Sequence, residues 1–345
     1  MIKTLSLTNY RNYSNKTLEF TSNTVVLKGP NGCGKTNLLE AIHFVSILRS
    51  FRGSSPKELV KIGERDFSLS LTIERKKLKS HLAVNQQLSG KRSLFINNNN
   101  VNRSSNFIKE FRTVPFVPED RLIVSGSSSY RRRFFDSLIS TIAPDYFVNL
   151  LRYSRALEQR NKALRESPDL ASAFEVELIE TSPKIAFARE IYAQQIAFEV
   201  NNLLGEERFN IIRKGDVRSD STEIELFNRF ASTRAKEKLR GYTATGPHLD
   251  EFELFLDNKL LRNYGSTGQV RIISLLLRLA EFNIVSGRGT LPLVLIDDVT
   301  GDLDEKNKSL FYNVIEQSPQ KFFTFATEIA KNDFNNPQII TLNLE

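Results

Sequence analysis

The run Gly29-Pro30-Asn31-Gly32-Cys33-Gly34-Lys35-Thr36 meets every fixed position of the pattern G-x-x-x-x-G-K-[ST]. Glycines at this spacing let the backbone fold into a nest of N–H donors that suits phosphate oxygens. A lysine placed as Lys35 is reaches the β- and γ-phosphates of a nucleotide, and a hydroxyl placed as Thr36 holds Mg²⁺. Asn37 follows directly. A glycine-rich turn can match such a pattern by chance, so the flanks decide. Val25-Val26-Leu27 reads as a buried strand, and Leu38, Leu39, Ile42, Val45 and Leu48 fall at helical spacing. The motif therefore stands between a strand and a helix, as its mechanism requires.

A second cluster lies far away in sequence. Leu293-Val294-Leu295-Ile296-Asp297-Asp298 is an apolar strand ending in two carboxylates. Beside a phosphate loop, the first acid is expected to share Mg²⁺ with Thr36, and the second to orient or deprotonate a water. Alone, an apolar strand ending in acids is common. Ser266-Thr267-Gly268-Gln269 opens an amphipathic helix, and its free N–H groups form an anion site. Read by itself it is only a helix cap; read across a dimer, it closes on a γ-phosphate held by a second chain. Arg11 and Asn12 precede the phosphate-loop strand, either as a polar turn or as groups meeting the nucleotide.

These residues need a scaffold that brings position 29 to position 297. Residues 1 to 28 read as two or three strands, and 68–73, 82–84 and 94–96 alternate as a meander does. From about 116 helical periodicity takes over. One helix carries Leu150, Tyr153, Leu157 and Leu164, with Arg152, Arg155, Arg160, Lys162 and Arg165 on other faces. A second run spans about 170–204, interrupted or begun afresh near Pro183. Residues 211–240 are polar and mixed, and sheet character returns at Phe252, Leu254 and Leu256. The expected fold is an α/β nucleotide-binding head built from 1–115 and 241–345, with a mainly helical insertion over 116–240.

The 345 residues suffice for two domains, and 40% hydrophobic with 26% charged is ordinary for a globular chain. The net charge of +8 leans toward a polyanionic partner. Arg75, Lys76, Lys77 and Lys79 share one connection, as a solvated turn or a DNA-facing one. A single cysteine excludes an intrachain disulfide and suits a reducing cytoplasm. No apolar run approaches the roughly 20 residues that span a bilayer, so no membrane association is expected.

These stretches together resemble the RecF family of the ABC/SMC superfamily over nearly the full length. The resemblance rests on 7–13, the phosphate loop with Asn37, Phe116-Val117-Pro118-Glu119-Asp120, 131–136, 151–161, Gly246-Pro247-His248, 266–269 and Asp297-Asp298. It implies an ABC/SMC-type P-loop ATPase head, a mixed sheet around the P-loop helix, with an inserted helical subdomain. It also implies ATP with Mg²⁺, ATP-dependent homodimers on double-stranded or gapped DNA, weak hydrolysis, and action with RecR and RecO in recombinational repair, replication and the SOS response. By the same resemblance Ser266 and Gly268 act in trans, Gly301-Asp302-Leu303-Asp304 is the D-loop with Asp304 its acid, and Thr327 stands near the switch position. Thr267 and Leu249 stand where the family usually has a basic residue, and no glutamine marks a Q-loop in 49–67. The competing readings are a transport-type, a chromosome-tethering or a defence-system ABC ATPase. A tethering protein needs far longer heptads than this insert offers.

Overall fold

The computed structural model describes residues 1–299, 303–325 and 336–343. It forms two compact units, Met1–Asp120 with Leu275–Glu345, and Arg121–Ser274. The division at 274 differs from the expected 240. The reason is pairing: strand β10 (Glu251–Leu256) bonds antiparallel to β9 (Phe209–Lys214), with Glu251 opposite Lys214. Residues 241–274 thereby fold with the helical unit.

The first unit has two sheets. β1 (Ile2–Tyr10), β2 (Tyr13–Glu19), β4 (Asp66–Arg75), β5 (Leu78–Gln87), β6 (Arg92–Ile96) and β7 (Asn99–Asn100) form an antiparallel sheet in the order β2-β1-β4-β5-β6-β7. Alternation in β4 turns Phe67, Leu69, Leu71 and Ile73 to the core. β3 (Thr24–Lys28), β8 (Thr113–Phe116), β12 (Leu293–Asp297), β13 (Lys321–Phe325) and β14 (Gln338–Thr341) form a parallel sheet in the order β14-β3-β13-β12-β8. Its inner strands are apolar at their centres because parallel strands are covered on both faces, while the edge strand β14 stays partly exposed.

Helix α1 (Lys35–Ile47) packs against β4 and β5 of one sheet and β8, β12 and β13 of the other. That position explains why only Thr36 and Asn37 of its thirteen residues escape burial. The short helices α2 (Pro56–Leu59) and α3 (Ser104–Phe107) and the longer α11 (Glu305–Ile315) complete this unit.

In the second unit, α4 (Arg121–Ser125), α5 (Ser128–Ile142), α6 (Pro144–Glu166), α7 (Glu175–Leu204), α8 (Glu223–Arg240) and α9 (Leu261–Tyr264) accompany a sheet of order β11-β10-β9, with β11 at Lys259–Leu260. α7 runs unbroken through Pro183. A proline there removes one backbone bond, and burial of Leu178, Ile179, Ile185 and Ala186 around it holds the helix together. The break between α6 and α7 falls at Ser167-Pro168. The stretch 211–240, read as mixed, contains α8, announced by a capping box in which Thr222 Oγ1 accepts from Glu225 N and Glu225 returns to Thr222 N. α10 (Thr267–Ser286) starts in this unit and ends in the first.

Some basic residues of these helices are interior, while Arg155, Lys162 and Arg165 stay exposed. Arg160 is fully buried and donates to Glu175, Glu237 and Thr243. Arg189 joins Asp136 and Asp250, Arg131 joins Glu251, and Arg152 pairs with Glu177 and Glu180. These arginines serve the fold.

Candidate functional site

The phosphate loop leaves the C-terminal end of β3 and enters α1. Gly29 passes so close to the segment after β14 that an added Cβ would lie 2.4 Å from Leu342 O. Gly34 takes φ 96°, and its Cβ would strike Tyr13 Oη and the Asn12 amide. Both positions therefore require glycine. Tyr13 Oη donates to Cys33 O at 3.1 Å, tying β2 to the loop, and Cys33 is buried. Gly32 is also left-handed, at φ 85°, while Pro30 and Asn31 sit exposed at the loop's outer turn. Lys35 Nζ donates to Gly29 O at 2.7 Å and Pro30 O at 2.9 Å, which holds its ammonium inside the loop.

Sheet order brings the second cluster here. β13 alone separates β3 from β12, and Thr324 stands opposite both Leu27 and Asp297. Thr36 Oγ1 lies 2.9 and 2.7 Å from the two Asp297 oxygens, and Thr324 Oγ1 donates to Oδ1 at 2.7 Å. Asp297 is buried, whereas Asp298 is exposed and left-handed at φ 52°. One carboxylate plus one hydroxyl, both hard oxygen donors, is the set Mg²⁺ takes when nucleotide phosphates complete its shell. Among the described residues no cluster of three or more His, Cys, Asp or Glu offers an alternative metal site.

Asn12 Oδ1 accepts from Asn37 Nδ2 at 2.7 Å, and Asn37 Oδ1 accepts from Arg52 at 3.0 Å. Arg11 does not face the loop. Its Nε and Nη2 both bond Glu40, each at 2.8 Å, while Nη1 reaches Glu58 O and Nη2 also reaches Ser54. Its donors are spent on the protein, where they clamp the turn after β1 to α1. Glu40 is fully buried and also accepts from Ser50 Oγ. Sequence reasoning missed Glu40 because a helix buried all round has no polar face on which an acid would stand out.

Two more buried groups went unread. His43, on α1, shares a hydrogen bond with Thr113 Oγ1 at 2.9 Å; burial first, then the Arg278 charge, pulls its pKa down to about 3. Arg278 on α10 donates to Asp120 and Glu281, and burial pushes both carboxylates up despite that cation. Asp120 also accepts from Val117 N, so the Phe116–Asp120 stretch anchors α10.

Ser266, Gly268 and Gln269 are exposed at the start of α10. Ser266 Oγ accepts from Gln269 N at 3.2 Å and Gln269 Oε1 accepts from Ser266 N at 2.9 Å, a reciprocal capping box. Gln269 is thus occupied with the cap. A Cβ at Gly268 would meet only Ser266 Oγ, at 4.0 Å, so the outer side is open. Asp304 caps α11, accepting from Asn307 N and Nδ2, and these bonds hold its carboxyl below the usual range. Gly301, Asp302 and Thr327 lie outside the described residues.

Residues 1–341 match the family described as RecF/RecN/SMC N terminal domain. The chain is 32% identical to the DNA replication and repair protein RecF of Thermoanaerobacter sp., over 96% of this chain and 95% of that one. It is 29% identical to the RecF of Clostridium beijerinckii, over 99% and 96%. A solved structure of the recombination mediator protein RecF with ATP superposes with a TM-score of 0.85 at 28% identity, covering 99% of this chain and 95% of the other. No helix among the described residues is long and apolar enough to cross a membrane.

Proposed function

The chain belongs to the RecF family within the RecF/RecN/SMC N-terminal group, and from that premise we propose that it is an ATPase of DNA replication and repair. The supporting observation is the meeting of Thr36 with Asp297 across 261 positions, beside a loop shaped for phosphates. Sequences seldom bring a hydroxyl at the start of a phosphate-loop helix onto a buried acid without a nucleotide to serve.

In this reading the N–H groups of Gly29 and of residues 31–37 hold the α- and β-phosphates, and Lys35 swings from the loop carbonyls to the β- and γ-phosphates. Thr36 and Asp297 are the residues that would hold Mg²⁺, which offsets phosphate charge when bound. Asp298 orients the attacking water. Ser266 and Gly268 of a second copy, with its Asp304 nearby, complete the γ-phosphate site, so two ATP molecules join two chains. Turnover is slow, and hydrolysis releases the pair from double-stranded or gapped DNA. Action with RecO and RecR, and a part in the SOS response, follow from the family. A cytoplasmic location fits such a role.

The test is sedimentation of the purified chain with and without ATP, Mg²⁺ and gapped duplex, beside Lys35→Ala. The expected result is an ATP-dependent dimer that Lys35→Ala cannot form. A single mass under all conditions overturns the reading.

A further inference from the structure

β4 and β5 stay in register to the pair Arg75–Leu78, so Lys76 and Lys77 alone make the turn. Both are left-handed, at φ 47° and 68°. Two-residue turns of this kind favour asparagine, aspartate and glycine, because a longer L side chain is strained there. The chain follows that rule at two other turns. Asn97-Asn98 joins β6 to β7, and Asp257-Asn258 joins β10 to β11, with the same left-handed pair. Arg11 in the β1–β2 turn departs from it at φ 55°, but Arg11 is held there by Glu40. The lysine pair departs from it twice over with no ion pair among the described residues, and strain kept at such an exposed turn points to use rather than to folding.

The neighbourhood repeats the cost. Arg75, Lys76, Lys77 and Lys79 are all exposed. Arg112 is held by its bonds to Val285 O and Arg288 O at the end of α10, where it feels the charges of Arg75 and Arg288. Burial and these like charges lower its pKa. Of the nearby acids, Glu74 pairs with Lys3 at 3.0 Å and also feels Lys79, and Glu110 partly offsets Arg75. Neither Lys76 nor Lys77 makes an ion pair among the described residues. A cluster of like charges on strained backbone lowers stability unless an anion answers it.

We propose that the β4–β5 turn, with Arg112 and Arg288, is a contact surface for the phosphate backbone of duplex DNA. This rests on the repair-ATPase reading above and adds where the DNA lies. A protein partner is less suited, because Leu78 is the one large apolar side chain exposed at this turn, and protein interfaces need an apolar centre. Phosphates need only mobile cations, and no base-reading element accompanies them, so binding is independent of sequence. Arg112 precedes β8 and Arg288 precedes its parallel neighbour β12, whose C-terminal end carries Asp297 of the nucleotide site. DNA and ATP therefore occupy opposite edges of one sheet, and neither blocks the other.

The test is Lys76→Asn with Lys77→Gly, which removes two charges while supplying the pair the turn prefers. Anisotropy titrations of a random-sequence duplex at several salt concentrations, with ATP and Mg²⁺, read the effect. Each phosphate contact contributes about 0.9 to the slope of log affinity against log salt, so the slope becomes shallower by about two. Affinity at low salt falls about tenfold, ATP binding stays at the wild-type level, and Tm is unchanged or higher. A variant with wild-type slope and affinity overturns the proposal while leaving the repair-ATPase reading standing. A wild-type protein that binds no duplex at all overturns both. A variant that keeps DNA affinity but loses binding to poly-L-glutamate overturns it too, and assigns the surface to an acidic protein.

Discussion

Arg11, in the turn after β1, grips Glu40 on α1 with two parallel hydrogen bonds, each 2.8 Å long. The acid is fully buried and the arginine is one-fifth exposed. The same guanidinium holds Glu58 O and Ser54, so the segment after α1 hangs on it as well. The phosphate loop lies between these two elements, which makes this pair a brace for the loop rather than part of its lining.

Removing the arginine leaves a buried carboxylate without its counter-charge, at a cost of about 3 kcal/mol. Arg11→Ala is expected to lower Tm by roughly 6–12 °C, at about 2–4 °C per kcal/mol. Arg11→Met with Glu40→Leu, which removes both charges, is expected to recover most of that loss. Thermal unfolding followed by circular dichroism checks it. A double variant as unstable as the single one would show that packing, not the unpaired charge, sets the cost.

The phosphate loop, the helix after it and the acidic strand were legible because each is local, with its meaning in eight or so consecutive residues. What escaped depends on pairs distant in sequence. Arg160 looks like one more cation on a polar helix face until Glu237, 77 positions on, comes to meet it. α8 buries only Leu226, Phe230 and Glu237, too few for periodicity to find, although Thr222-x-x-Glu225 marked its start. The division between the units moved to 274 because a strand's partner is not written in the strand. Arg11 was drawn toward the nucleotide by its place in the chain, and toward Glu40 by geometry that spacing does not reveal.

His43 gives a pH dependence whose sign is fixed. Its pKa is about 3 in the folded chain against 6.5 unfolded, so the unfolded chain binds the extra proton. Its contribution to stability is complete above pH 6.5 and is lost as pH falls toward 3. The steepest loss is about 1.4 kcal/mol per pH unit. Urea unfolding between pH 5 and 7 should therefore show a steeper slope for the wild type than for His43→Asn, the other groups being common to both. Parallel slopes would mean that the imidazole already titrates normally in the folded state.

Ser266 has two readings, helix cap and trans contact, and one substitution separates them. Aspartate caps a helix about as well as serine does, so Ser266→Asp keeps Tm. It also adds a negative charge where a partner's γ-phosphate would sit, and is expected to abolish the ATP-dependent dimer. Ser266→Ala loses about 1 kcal/mol of cap with a milder loss of dimer. Sedimentation with ATP reads both, and a Ser266→Asp chain that still dimerises leaves this serine as a cap and nothing more.

Asp298 is left-handed at φ 52°, directly after the buried Asp297. Asparagine and aspartate tolerate that conformation better than other side chains bearing a Cβ, so Asp298→Asn changes the charge and leaves the backbone at rest. An alanine here would confuse strain with chemistry. If Asp298 positions or deprotonates the attacking water, its amide should bind ATP as the wild type does. Phosphate release should then fall by a factor of about 10² to 10⁴, the usual worth of such a group. The dimer, formed but not released, should persist through long sedimentation runs. Asp297→Asn is the contrast: it disturbs the acceptor shared by Thr36 and Thr324 and should weaken Mg²⁺-dependent ATP binding itself. An Asp298→Asn dimer that dissociates as fast as the wild type would move the water-activating role to another residue.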